Sequence, residues 1–140
     1  MANAEPEKPQ SVAEAIDAIE ATYELTLAYA AQGRRAEEDD PLGIRQALRR
    51  ADAALDVLAA ATPADLGSPG GAAAQATAGM IEVLKQDVAK ARATIRFVLA
   101  QRVIGSQIID NLNASIHIRA LLTDVFLLDE AFEKTNSALT

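Results

Sequence analysis

Apolar positions in the second half of the chain recur at alternating intervals of three and four residues, the spacing that holds side chains on one side of an α-helix. Ile81, Leu84, Val88, Ala91, Ile95 and Val98 form one such stripe, and Ala114, Ile118, Leu121, Val125, Leu128 and Phe132 form another. Between them, Val103-Ile104-Gly105-Ser106 pairs a helix-ending glycine with a capping serine. The two segments, about 72–104 and 106–135, are therefore expected to be the arms of an antiparallel hairpin. Asn111 to Ser115 is a competing break, because Asn and Ser also cap and turn. The second arm is apolar on two sides: Ile108, Leu112, Ile116, Phe126 and Leu127 lie opposite its main stripe. One bundle core covers an apolar stripe of little more than about 100°, so the surplus side is expected to be shared with another chain.

The first half reads as two shorter amphipathic helices, about 11–32 and 41–61. Ser11 with Glu14 makes a capping box at the start of the first, whose expected stripe is Val12, Ile16, Ile19, Tyr23 and Leu27, with Leu25 and Tyr29 beside it. Gly33 ends that helix, and Gly33 to Asp40 is a charge-dense link that places Arg34 and Arg35 at its negative end. Asp40 as N-cap and Pro41 at the first helical position open the second helix, whose stripe is Ile44, Leu48, Ala51, Leu55 and Leu58. Thr62 to Gly71, with two prolines, three glycines and a serine, is the main punctuation before the hairpin. The expected fold class is all-α, an antiparallel helical bundle of about four helices. It would be a single domain over 11–136, with a disordered tail at 1–10 and a frayed end at 137–140.

Composition changes this picture only by exclusion. Half the residues are hydrophobic but only 4% are aromatic, which suits closely packed alanine-rich helices better than a sheet. A net charge of −7 argues against a nucleic-acid partner, since phosphate binding rests on clustered Lys and Arg. With no cysteine there is neither a disulfide nor a thiolate metal site. Met1 to Gln10 does not read as a signal peptide, and the most apolar window, Ile116 to Leu128, carries Arg119 and Asp124. No membrane insertion is expected, and the expected location is the cytoplasm.

Candidate chemistry is sparse. Lys85, Arg92 and Arg96 fall in a narrow arc beside the stripe of the third helix, either as an anion or partner site or as a flank pairing with Asp17, Glu20 and Glu24 of the first helix. His117 is the only histidine and has no carboxylates at ligand spacing, so no metal and no cofactor are expected. Asn111, Asn113 and Ser115 interrupt an apolar segment as caps or register-setting groups. Nucleophilic catalysis has no foothold: there is no Gly-x-Ser-x-Gly, and Ser106 reads as a cap.

The expected function is that of a non-enzymatic helical interaction protein, an adaptor, chaperone or assembly subunit. It would act through Ile108, Leu112, Ile116, Phe126 and Leu127 and self-associate as a homodimer. The alternative is a small-molecule-binding regulator or enzyme with an inter-helix pocket for an anionic ligand, using Arg92, Arg96, Asn113 and His117.

Overall fold

The computed structural model describes residues 6–38, 43–66 and 72–139, with side chains for all of these except 72 and 132–139. Five helices are present among the described residues: α1 (Val12–Ala30), α2 (Ile44–Ala59), α3 (Ala72–Leu99), α4 (Ser106–Ala114) and α5 (Ile116–Leu139). The fold is all-helical, but the count differs from the expected four. Both competing breaks in the second half occur. The expected last helix is two helices, joined by Ser115 in an extended conformation at φ −60° and ψ 131°.

Ser115 serves both neighbours. Its N–H donates to Leu112 O at 3.0 Å at the end of α4, and its Oγ accepts from His117 N–H at 3.2 Å at the start of α5. The break accounts for part of the two-sided apolar pattern. Once the axis turns at Ser115, α4 buries Ile109 and Leu112 on one side, while α5 buries Ile118, Leu121, Leu122, Val125 and Leu128 on another. α1 packs against α2 and α4, α2 against α3, and α3 against α5, which also touches α4 and α1.

The core stripes of α2 and α3 are buried as expected, from Ile44 to Leu58 and from Ile81 to Val98. That of α1 is buried over its first half, at Val12, Ile16 and Ile19, but further on Leu27 is exposed and Tyr23 only partly buried, while Thr22, Thr26 and Tyr29 lie inside. The two threonines escape a desolvation cost by donating to backbone carbonyls, Thr22 Oγ1 to Ala18 O at 2.8 Å and Thr26 Oγ1 to Tyr23 O at 2.9 Å. Ser11 caps α1 by accepting from Glu14 N–H at 3.1 Å, and Glu14 reaches back to Gln10 N–H at 2.7 Å. α2 starts at Ile44 with Gly43 as N-cap, later than expected; Asp40 and Pro41 lie outside the described residues. Of the expected tail, residues 1–5 lie outside them as well, while the Lys8 ammonium pairs with Asp56. The punctuation at Thr62 begins with a tight turn in which Asp65 Oδ2 accepts from Thr62 N–H at 2.9 Å and Leu66 is buried; 67–71 lie outside the described residues.

α3 ends at Leu99, earlier than the expected 104, and carbonyls at and just beyond its end are taken by a side chain of another helix. Arg45 of α2 donates to Leu99 O at 2.7 Å and Gln101 O at 2.9 Å. The same guanidinium meets Glu37 at 2.6 Å, and Glu37 in turn accepts from Ile104 N–H. Tyr29 OH donates to Ile104 O at 2.6 Å, and Ile104 is fully buried. Ser106 does not cap α4, whose N-cap is Gly105. Ser106 instead latches the two links together: its Oγ donates to Tyr29 O at 2.6 Å and accepts from Arg34 N–H at 2.8 Å, and its N–H donates to Arg34 O at 2.8 Å.

Candidate interaction face and its surroundings

The residues expected to form an interaction face separate at Ser115. Leu112 is buried and Ile108 packs against the core, both on α4. Ile116, Leu127 and Phe126 on α5 remain open, at 75%, 59% and 44% exposure. Within α5, Ile116, Ala120, Thr123 and Leu127 follow intervals of four, three and four, so they form one seam spanning about 60° on the outer side. Phe126 lies on the seam's flank. Val83 and Phe97 on α3 are also exposed, at 45% and 66%, and fall within about 40° of each other in projection. Sequence reasoning did not single out either one. Their signal was present as two large apolar residues off the α3 stripe.

The seam is bordered by small residues in its middle, Ala120 and Thr123, with larger ones at its ends. Small central side chains let two helices approach closely, and large end residues fill the space where crossing helices diverge.

Two residues of the basic stripe, Arg92 and Arg96, are paired, though not with the expected partners. Arg92 donates to Asp52 and to Asp56, each at 3.1 Å, and Arg96 donates to Asp52 at 3.1 Å. The acidic partners therefore stand on α2 rather than α1, since α3 packs on α2 and projects these arginines along that seam. Burial alone would lower the Arg92 pKa, but the bonds to Asp52 and Asp56 outweigh it and raise it. Asp56 is held below the usual carboxylate range by its hydrogen bonds from Lys8 and Arg92. Lys85 is half-buried beside them.

The polar groups named for an inter-helix pocket do not converge. Asn113 Nδ2 donates to Thr26 O at 3.1 Å, tying α4 to α1, while His117 is exposed at the start of α5. Beside Asn113, a cleft of about 40 Å³ is lined largely by apolar residues including Leu48, Leu55, Leu112 and Leu121. That is room for about two waters, against the roughly 300–1,000 Å³ of ordinary ligand pockets. Among the described residues no group of three or more His, Cys, Asp or Glu could hold a metal ion, and no helix is long and apolar enough to cross a membrane.

Two carboxyls missed by sequence reasoning stand where α3 meets α5. Asp124 is only 6% exposed, and its Oδ2 is closed to solvent and meets no hydrogen-bond donor among the described residues. Burial, then the hydrogen bond with Asp87, push its carboxyl up to about 7. Glu37, in the latch between the links, goes the other way. Burial would raise it, but the Ile104 N–H and the Arg45 guanidinium together hold it below the usual range. Tyr29 in the same network is raised, first by burial and then by the Glu37 charge.

Comparison with known protein families, with curated proteins and with solved structures found no match to this chain.

Proposed function

We propose that the protein is a non-enzymatic helical interaction protein that works as a homodimer through the outer seam of α5. The observation that carries this reading is the run Ile116, Ala120, Thr123, Leu127, exposed except at the half-buried Ala120, on a helix whose opposite side is already buried in the bundle. Such a heptad-spaced seam is built for a second helix. An antiparallel pairing about a two-fold axis between Ala120 and Thr123 sets Ile116 of one copy against Leu127 of the other, so one self-complementary patch closes on itself. The pairing of Arg92 and Arg96 with Asp52, and the small size of the cleft beside Asn113, both weigh against an inter-helix pocket built from Arg92, Arg96, Asn113 and His117.

Light scattering behind size exclusion tests this. The wild-type chain at low micromolar concentration is expected at about twice 14.8 kDa, and Ile116→Glu with Leu127→Glu at 14.8 kDa with helicity unchanged. A wild-type monomer, or a dimer that survives both changes, overturns the reading.

A further inference from the structure

α5 is attached to the rest of the bundle in an unequal way. Its covalent link to α4 is the single extended residue Ser115, and it packs mainly on α3, with slighter contact to α4 and α1. Within that α3 contact sits Asp124, 6% exposed, with an oxygen that is closed to solvent and that no donor among the described residues reaches. An ionised carboxylate there would hold charge on an oxygen that is closed to solvent and faces a second carboxylate, whereas a protonated one can donate to its neighbour Asp87. We propose that α5 is a proton-controlled arm, hinged at Ser115, which docks on α3 while the Asp87–Asp124 pair holds a proton and is released as that proton is lost.

Among the described residues, Asp87 of α3 is the charged group whose hydrogen bond and charge raise Asp124. Lys90, one turn along α3, and His117, two turns back on α5, are both exposed. α1 also carries Glu14, Asp17, Glu20 and Glu24, α4 carries Asp110, and α5 carries Arg119, Asp129 and Glu130. The direction of the effect follows from linkage. Docked, the Asp124 carboxyl titrates at about 7; released into water it returns to the ordinary 3.8. The docked arm thus binds more protons between those values, so raising pH through that window favours release, and above it the balance levels off. Release exposes the apolar side of α5, Ile118, Leu121, Val125 and Leu128, together with the α3 surface it covered. The device is independent of whether the outer seam pairs with a second copy.

Amide hydrogen exchange of the full chain tests the proposal. After correction for intrinsic rates, the opening constant of amides in 116–131 is expected to rise up to about tenfold per pH unit between about pH 5 and 7 and then flatten, while amides of 44–59 change far less. In Asp124→Asn the rise is expected to vanish. Asp87→Asn gives a second reading, because an amide there can donate to the ionised Asp124 and should keep α5 protected at pH 8. A flat profile in the wild-type chain, a rise that persists in both variants, or exchange of 44–59 in step with α5 overturns the proposal.

Discussion

Gly105→Ala is the most direct probe of how the two inter-helix links lock together. Gly105 has φ −91°, a conformation open to any residue, so the cost of a side chain is steric alone. A Cβ at this position would stand 2.9 Å from both Arg34 O and Arg35 O, closer than such atoms approach. Because both obstacles are backbone, the 31–38 link must move as a unit. That movement pulls apart the two 2.8 Å hydrogen bonds between Arg34 and Ser106. Two such bonds are worth about 1 kcal/mol each, and forced overpacking costs about 1–3 kcal/mol more, giving a loss of about 2–4 kcal/mol after partial relaxation. In a domain of this length that lowers Tm by roughly 6–15 °C, read by circular dichroism at 222 nm and checked by urea unfolding. Gly79→Ala is the matched control: it lies inside α3 with nothing within 4 Å, and is expected to gain about 0.5–1 kcal/mol. A Gly105→Ala protein within about 0.5 kcal/mol of wild type would refute the claim that the links are locked by close approach.

Two further predictions concern charge. Stability is expected to peak in mild acid, at roughly pH 4–5, because two groups titrate in opposite senses. The stabilisation from Glu37, whose folded pKa is depressed, is lost as pH falls through that value, while the raised Asp124 makes the fold lose stability as pH climbs from about 4 to about 7. Asp124→Asn should remove the neutral-side loss, gaining up to about 4 kcal/mol at pH 8 by the 1.36 kcal/mol per pKa unit rule, and urea midpoints at pH 4.5 and 8 measure it. A wild-type midpoint higher at pH 8 than at 4.5 would contradict this. In a double-mutant cycle, Arg92→Ala and Asp52→Ala should couple by about 0.5–1.5 kcal/mol, while Arg92→Ala with Glu24→Ala should be additive; the reverse pattern would put α3 against α1 instead of α2.

What could be read from the chain depended on how one-sided each helix is. α2 and α3 bury every residue of their expected stripes, since each alternates cleanly between aliphatic and charged positions. α1 was misread because Thr22 and Thr26 count as polar by type yet spend their hydroxyls on backbone carbonyls, which leaves small methyl-bearing surfaces to pack inward. The end of α3 was invisible for another reason. Arg45 looks like ordinary solvated surface on α2, and only the packed structure brings it to Leu99 O and Gln101 O, some 54 and 56 residues away in sequence. The basic stripe was legible as a paired flank, but its partners depend on which helices are neighbours, and helical spacing does not encode that order. The surplus apolar side of the last segment was legible too. Two of its five residues, Ile108 and Leu112 on α4, are turned inward by the break at Ser115, and Ile116, Phe126 and Leu127 stay outside along the seam of α5.

The central claim, that copies of this chain pair through the α5 seam, is tested most directly by cross-linking, because the chain contains no cysteine and any introduced one is unique. Thr123 is exposed in the middle of the seam and lies within half a turn of the expected two-fold axis, so the two Thr123→Cys side chains of a pair flank that axis, each opposite Ala120 of the other copy and within cross-linking reach of one another. Under mild oxidation at low micromolar concentration this variant is expected to run almost wholly as a covalent dimer on a non-reducing gel. Asp17→Cys on the exposed side of α1 should remain a monomer under the same conditions. Equal cross-linking at the two positions, or none at Thr123→Cys, would contradict the account.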